Sequence, residues 1–453
     1  MKNKKFYYNN ILELIGNTPL VKINKLNPNP KVLMLGKLES MNPGGSIKDR
    51  IGMFMVKKAE KEGKLKRGGT IVEPTSGNTG VGLALAAAMK GYKTIFVMPD
   101  KMSEEKRNLL RAYGAKVVIA PTAVSPDDPR SYYKVSDKLA SQLGAYKPDQ
   151  YANPANPEAH YKTTGPEIWR QTKGKVTHVV MAMGTGGTLT GIGKYLKEKN
   201  PKIKIIGVDP VGSVYYEYFK TGKVPRLFKT YKVEGVGEDF LPGNMDFSLI
   251  DEIISVSDKD CFLTARELAR KEGILAGGSS GMALFAAGQA AKKLKKGLMV
   301  VILPDSGRNY LTKFYNDAWM RESGFLEEAS ETIKPLLNKK LHFISISSSS
   351  SPQEAIGLMN EHQISQMPVT ENEKVVGTIS EMILIQNLYG KSKIPVTVSE
   401  IMDKDFIQVA EDSPLDDLAS ALSAKESVVV TDKKMKPIDV LTRIDLLSNL
   451  TKI

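Results

Sequence analysis

Between residues 11 and about 320 the chain repeats one rhythm: a short apolar, β-branched run, a loop bearing Gly or Pro, then a helical pattern. The stretch GGTIVEPTSGNTGVGLALAAAMKG shows it most plainly, predicting a strand over Thr70–Glu73 and a small-residue helix over Thr79–Lys90. YKTIFVMPD supplies the next strand, and EKRNLLRAYGAKVVIAP a helix followed by another. THVVMAMGTGGTLTGIGKYLKEKNPKIKIIGVDP reads as a full strand–loop–helix–strand unit, and LMVVILPDSGRNY as a late buried strand. Strands that are apolar throughout, alternating with helices, predict an α/β fold with mostly parallel sheets covered on both faces. Loops beyond the carboxyl ends of such strands are where ligands bind.

The rhythm stops at RESGFLEEASETIKPLLNKK, residues 321–340, which is charged, lacks a strand pattern and is expected to link or bridge. Beyond it the chain repeats itself at a period of roughly 60 residues. SSPQEAIGLMNEHQISQMPVTENEKVVGTISEM and DSPLDDLASALSAKESVVVTDKKMKPIDVLTRIDLL share one plan. Each runs Ser-Pro, amphipathic helix, a short strand ending in Thr, a polar turn, a second strand and a second helix. The serine run Ser347–Ser351 sits just before a helix, so loop plus N-cap explains it better than low complexity. The expected divisions are 1–325 for the large unit, 326–341 for the linker, and 342–396 and 397–453 for the two repeats.

With 453 residues the chain is expected to hold more than one domain, and its 41% hydrophobic and 25% charged residues supply an ordinary globular core. No apolar run approaches the roughly 18 residues of a membrane span. The basic N-terminus, MKNKKFYYNN, is not followed by an apolar stretch and cleavage site, so no secretory signal is expected. Cys261 is the single cysteine, which excludes an intrachain disulfide and suits a reducing cytoplasm. The net charge of +14 is spread among acids, as in KKAEKEGKLKRGG. That scatter argues against nucleic acid and for solubility with some attraction for small anions. His160, His178, His342 and His362 show no metal-ligand spacing, so no metal site is expected.

Three loops stand at the predicted strand ends. TSGNTG, Thr75–Gly80, offers hydroxyls and an amide at the mouth of a helix, which suits a carboxylate or another small anion. GTGGT, Gly184–Thr188, presents unshielded N–H groups to an anion, most simply a phosphate. Neither is a Walker loop or a dinucleotide fingerprint. A tight strand–helix turn is the plain alternative for either alone, and two in one fold weigh against it. The third loop, PDSGRN, carries Ser306 as a neutral hydroxyl or an ordinary helix cap. In MNPGGSIKDR, glycines precede Lys48, which by itself reads equally as a solvated residue in a helix starting near Ser46. Taken together, a lysine able to form a Schiff base and a separate phosphate cradle point to a pyridoxal 5′-phosphate (PLP) enzyme.

The segment from IGNTPL to VVILPDSGRNY resembles the PLP enzymes of the tryptophan-synthase β-like group, fold type II, and within them the cystathionine β-synthases. NPEAHYKTTGPEI, GTGGTLTGIGKYLKEK, IIGVDPVGS, VEGVGEDF and PDSGRNYLTKFYNDAWM carry the likeness over about the first 320 residues. The duplicated tail resembles the paired CBS domains of such synthases. The resemblance implies Lys48 as the aldimine lysine, Asn78 on the cofactor's ring hydroxyl, Gly184, Thr185, Gly186, Gly187 and Thr188 on its phosphate, and Ser306 facing the pyridine nitrogen. Thr75, Ser76 and Thr79 would hold the amino-acid carboxylate, and Gly235 and Gly237 would shape the second-substrate side. The implied reaction is β-replacement joining serine and homocysteine through an aminoacrylate, giving cystathionine and water. Sulfide release from cysteine is a further activity it leaves open. A homodimer or larger homo-oligomer is implied as well.

This chain also departs from that pattern. No heme is expected, because the catalytic pattern begins within a few residues of Met1 and no cysteine precedes it. Glu238, in VEGVGEDF, stands where such synthases usually carry tyrosine, which puts the choice of homocysteine in question; an exposed loop residue is the plain alternative. In VLTRID, Thr442 and Asp445 are spaced like a ribose-contacting pair, whereas the first repeat carries Thr378 and Glu381. S-adenosylmethionine (SAM), another adenine nucleotide, or a purely packing or dimerising tail all remain open. Cysteine synthase, joining O-acetylserine and sulfide beneath a regulatory tail, is the alternative enzyme. Threonine deaminase is more distant, and a sensor that has lost catalysis is disfavoured by the joint retention of Lys48, Asn78, the glycine loop and Ser306.

Overall fold

The computed structural model describes residues 7–450 apart from 76, 101, 103, 122, 126, 226–228, 327–331, 338–342, 390–393 and 434. The chain divides into two compact units, Met1–Leu326 and Glu327–Ile453.

Among the described residues the first unit contains two sheets. The larger is built from β1 (Leu20–Lys22), β2 (Val32–Leu38), β6 (His178–Ala182), β7 (Lys204–Pro210), β8 (Glu252–Val256) and β9 (Gly297–Leu303), in the order β1-β2-β9-β6-β7-β8. Only β1 is antiparallel to its neighbour. The smaller sheet, β3 (Thr70–Pro74), β4 (Lys93–Pro99) and β5 (Lys116–Ala120), is parallel throughout. Helices α1 (Lys48–Lys61), α2 (Asn78–Lys90), α3 (Glu104–Ala112) and α4 (Tyr132–Leu143) surround the smaller sheet. Ile51, Met55 and Val56 of α1 share one apolar cluster with Ile71 and Phe96 of its strands. After α5 (Ala155–Ala159) and α6 (Gly165–Gln171), the helices α7 (Gly187–Lys199), α8 (Tyr215–Thr221), α9 (Asp258–Glu272), α10 (Gly278–Lys292) and α11 (Asp317–Glu322) accompany the larger sheet. The interior strands are buried over nearly their whole length, as the unbroken apolar runs foretold.

Two boundaries matter for chemistry. The strand read as Thr70–Glu73 runs on to Pro74, and the following helix starts at Asn78 rather than Thr79. The helix expected near Ser46 starts at Lys48, whose backbone N–H is accepted by the Ser46 hydroxyl at 3.2 Å. Both shifts put chemistry-bearing side chains on the first helical turn.

The second unit repeats one plan, as expected. Its first sheet is β10 (Ile346–Ser347), β11 (Gln366–Glu371) and β12 (Lys374–Ser380), with α12 (Pro352–His362) and α13 (Glu381–Leu388). Its second is β13 (Gln408–Ala410), β14 (Ser427–Thr431) and β15 (Pro437–Thr442), with α14 (Leu415–Ala424) and α15 (Arg443–Leu450). In each, the first pairing is parallel and the second antiparallel. Ser351 caps α12 through a reciprocal bond with Glu354, so the serine run does end in an N-cap. The segment read as linker is partly built into the second repeat. Ile333 is fully buried against Leu418, Val428 and Val430, and its N–H reaches the carbonyl of Ser413. A charged stretch concealed apolar residues, Ile333 with the partly buried Leu336 and Leu337, that the second repeat uses for its core.

Candidate active site

A cavity of about 580 Å³ opens where the carboxyl ends of the strands converge, and Lys48, Asn78, Thr79, Thr185, Asp305 and Glu238 all line it. Lys48 is half-buried, and its Nζ lies 3.4 Å from the hydroxyl of Thr185 in the glycine loop. Desolvation lowers the lysine to about 8, with the negative charge of Glu238 working in the opposite direction. The amine is therefore easier to free of its proton than a surface lysine.

The loop Gly184–Thr188 is held from several sides. Tyr215 donates its hydroxyl to the Gly184 carbonyl at 2.9 Å, and Asn156 donates to the Thr185 hydroxyl at 3.0 Å. Thr188 is 3.2 Å from Nε2 of His160. His160 is buried and pushed down to about 3 by desolvation, so it stays neutral. A side chain has no room here: a Cβ at Gly186 would lie 2.6 Å from the Met245 nitrogen, and one at Gly187 would lie 1.9 Å from Oδ1 of Asn156. At Gly186 the backbone also needs a φ of +85°. Gly184 in turn faces the Gly235 carbonyl, 2.7 Å from where its Cβ would be, so the VEGVG loop abuts the cradle.

The TSGNTG loop is organised from within. The Thr75 hydroxyl accepts the N–H groups of Gly77 and Gly80 at 3.1 and 3.2 Å, which makes it a staple of the loop. Thr79 donates to Gln150 at 2.6 Å, and Asn78 donates to Asp305 at 2.8 Å. Ser76 lies outside the described residues. Ser306 accepts the N–H of Arg308 at 3.3 Å and caps a short 3₁₀ turn. The cavity wall near this loop is formed by Pro304 and Asp305.

Sequence reasoning passed over several residues that the fold brings here. Asp305 accepts from both Asn78 and the Tyr310 hydroxyl, and burial raises its carboxyl. Glu234 joins Lys106 and Lys313 across the cavity wall. Asn156 sat inside a quoted motif without being singled out and His160 was weighed only as a metal ligand, because only the folded chain sets them against the glycine loop. Thr442 and Asp445 do meet: the Thr442 N–H and hydroxyl both donate to Oδ2 of Asp445, at 2.8 and 2.7 Å. In the first repeat, Thr378 pairs through its backbone with Asp403, and Glu381 is exposed. Among the described residues no cluster could hold a metal ion, and no helix is long and apolar enough to cross a membrane.

The site accommodates a phosphate-bearing aldehyde cofactor. α7 opens at Gly187 behind a cradle in which a Cβ at Gly186 or Gly187 would collide with its surroundings, and a lysine of reduced proton affinity stands beside it. Fold and site together define a PLP-dependent enzyme of fold type II bearing a tandem CBS tail. The family described as pyridoxal-phosphate dependent enzyme matches residues 11–305, and the CBS domain matches 336–390 and 398–452. A cystathionine beta-synthase of Dictyostelium discoideum is 40% identical over 99% of this chain and 93% of its own length. That of Saccharomyces cerevisiae is 38% identical over 97% of each. A cysteine synthase of Staphylococcus aureus is 46% identical but covers 67% of this chain. The solved structure of an O-ureido-L-serine synthase superposes with a TM-score of 0.64 at 36% identity, covering 70% of this chain and 99% of its own. The chain belongs to the cystathionine beta-synthase family of PLP-dependent enzymes.

Proposed function

We propose that the protein joins serine and homocysteine to give cystathionine and water, with Lys48 as the catalytic residue. The observation that carries this reading is the placement of Lys48: half-buried, of lowered proton affinity, and beside Thr185 of the glycine cradle. Bound PLP supplies the electron sink that lets the α-proton and the β-hydroxyl of serine depart. Lys48 takes the α-proton as general base and can hand it to the leaving hydroxyl, so that water departs. The first turn of α7 and Thr185 and Thr188 hold the phosphate, and Gly186 and Gly187 keep that space clear. Asn78 serves the ring hydroxyl. Ser306 serves the pyridine-nitrogen side, since its cap to Arg308 uses the oxygen only as acceptor and leaves the O–H to donate. Thr79, Ser76 and the loop stapled by Thr75 receive the substrate carboxylate, and Gly235 and Gly237 shape the second-substrate side.

Relatives matched over nearly the whole of this chain favour this reaction over the cysteine synthase alternative, whose relative covers 67% of it. The test is mass spectrometry of products from serine plus homocysteine, run beside O-acetylserine plus sulfide. Cystathionine as the dominant product supports the reading, and cysteine formed only from O-acetylserine overturns it. The tail is assigned an adenosyl ligand such as SAM at Thr442 and Asp445, and the enzyme works in the cytoplasm as a homodimer or larger assembly.

A further inference from the structure

Glu238 places a carboxylate in the wall of the reaction cavity, and the fold holds it tightly. Its backbone is clamped on both sides: its N–H reaches the Ser213 hydroxyl at 3.2 Å, and its carbonyl accepts from Val214 at 3.1 Å. Its Oε1 accepts the hydroxyl of Tyr151 at 2.9 Å. Tyr151 is fixed edge-on against Tyr133 and Phe240, at 6.3 and 5.3 Å between ring centres. The preceding residue, Gln150, receives the Thr79 hydroxyl. The carboxylate thus stands between the substrate loop and the second-substrate loop. An exposed loop residue would have none of these ties.

We propose that Glu238 is the general base for the incoming thiol, a reading that rests on the reaction assigned above. The S–H bond breaks, its proton passes to a carboxylate oxygen of Glu238, and the electron pair left on sulfur forms the new bond to the substrate Cβ. The α-proton left with the departing water, so Cα must regain one. Lys48 is the group that returns it, resupplied from Glu238, and overall one C–O bond is exchanged for one C–S bond. The charged and titratable groups around Glu238 suit this cycle. Lys48 is cationic or neutral by turns, Tyr132, Tyr133, Tyr151, Tyr215 and Tyr231 are all pushed up by burial and by Glu238 itself, and Asp239 and Asp209 add to that upward push. The phenols therefore stay protonated, and Tyr151 is the one that donates to Oε1 of the carboxylate.

The size of the effect follows from thiol acidity. With a thiol pKa near 8.5, only about 3% is thiolate at pH 7, so a site without a base runs about 30-fold slower there and recovers by about pH 9. The experiment compares PLP-loaded wild type, Glu238→Gln and Glu238→Asp. Gln keeps an acceptor for Tyr151 but cannot take a proton, and matched melting temperatures verify its fold. Stopped-flow absorbance with serine alone reads the first half-reaction, and addition of homocysteine between pH 6.5 and 9.5 reads the second. We expect a second half about 30-fold slower at pH 7 for Gln with the gap closing near pH 9, a first half altered by much less through the lowered Lys48 midpoint, and partial recovery with Asp. In the PLP-free protein, reductive methylation of Lys48 against pH should show its midpoint lowered in Gln, because the carboxylate charge is gone. Equal rates, a deficit independent of pH, or a first half slowed as much as the second would overturn the proposal and leave Glu238 an anchor for Tyr151. If wild type makes no cystathionine, the assigned reaction fails instead, and the same comparison with sulfide then decides on Glu238.

Discussion

A Cβ added to Gly82 would lie 2.4 Å from the carbonyl oxygen of Lys48, so α2 meets α1 backbone to backbone at that lysine. One turn along, a Cβ on Gly52 would lie 2.3 Å from the carbonyl carbon of Gly82. The contact ties the helix that opens with Lys48 to the helix that opens with Asn78.

Because backbone cannot rotate out of the way, Gly82→Ala must push α1 and α2 apart. The expected loss is about 1–3 kcal/mol or more in urea unfolding, with a weakened cofactor absorbance band. Gly357→Ala in α12, where a Cβ would meet nothing within 4 Å, is the contrast and should stabilise slightly.

Lys48→Ala should abolish turnover while the protein remains folded, checked by circular dichroism beside product analysis. The lysine also marks the pH dependence of the cofactor-free protein. Its native value of about 8 lies below the 10.5 of an unfolded chain, so between those values the unfolded state binds the extra proton. Stability attributable to Lys48 therefore rises with pH through that window. The difference between wild type and Lys48→Met in urea should show this slope.

Arg50 lies between Glu39 and Glu167, at 2.7 and 2.8 Å, in a fully enclosed network with Lys37 and Thr18. Arg50→Met strands two buried carboxylates and should cost about 3–5 kcal/mol in denaturant unfolding. Glu167 is held down to about 2 from 4.5, so its contribution is complete above about 4.5 and lost as pH falls toward 2. His160, neutral until about 3, adds an earlier loss that begins as pH falls through 6.5. Acid titration should therefore melt the protein in two overlapping ranges, followed by near-ultraviolet circular dichroism.

The Thr442–Asp445 pair already carries the hydrogen bonds that orient the carboxylate, which leaves that carboxylate positioned for the hydroxyls of a sugar. Calorimetry of the full-length protein should detect SAM or an adenine nucleotide, with Asp445→Asn removing the heat. No heat with any of them would make the tail a packing module.

Much was legible before folding. Unbroken apolar runs declare buried parallel strands, and a repeated Ser-Pro–helix–strand plan declares a duplicated tail, because burial and local turn chemistry are written in adjacent residues. Glycine-rich turns beside Lys48, Asn78 and Thr185 announced a site for the same reason: only side-chain-free backbone allows such approach. What adjacency could not reveal are partners brought together from distant segments. Asp305 meeting Asn78, Tyr151 holding Glu238, His160 behind Thr188 and Ile333 in the second repeat's core all join residues that are far apart in the chain or lie in separate elements. Those pairings depend on how sheets and helices pack, and packing alone turns Glu238 from an odd loop residue into a fixed carboxylate in the cavity wall.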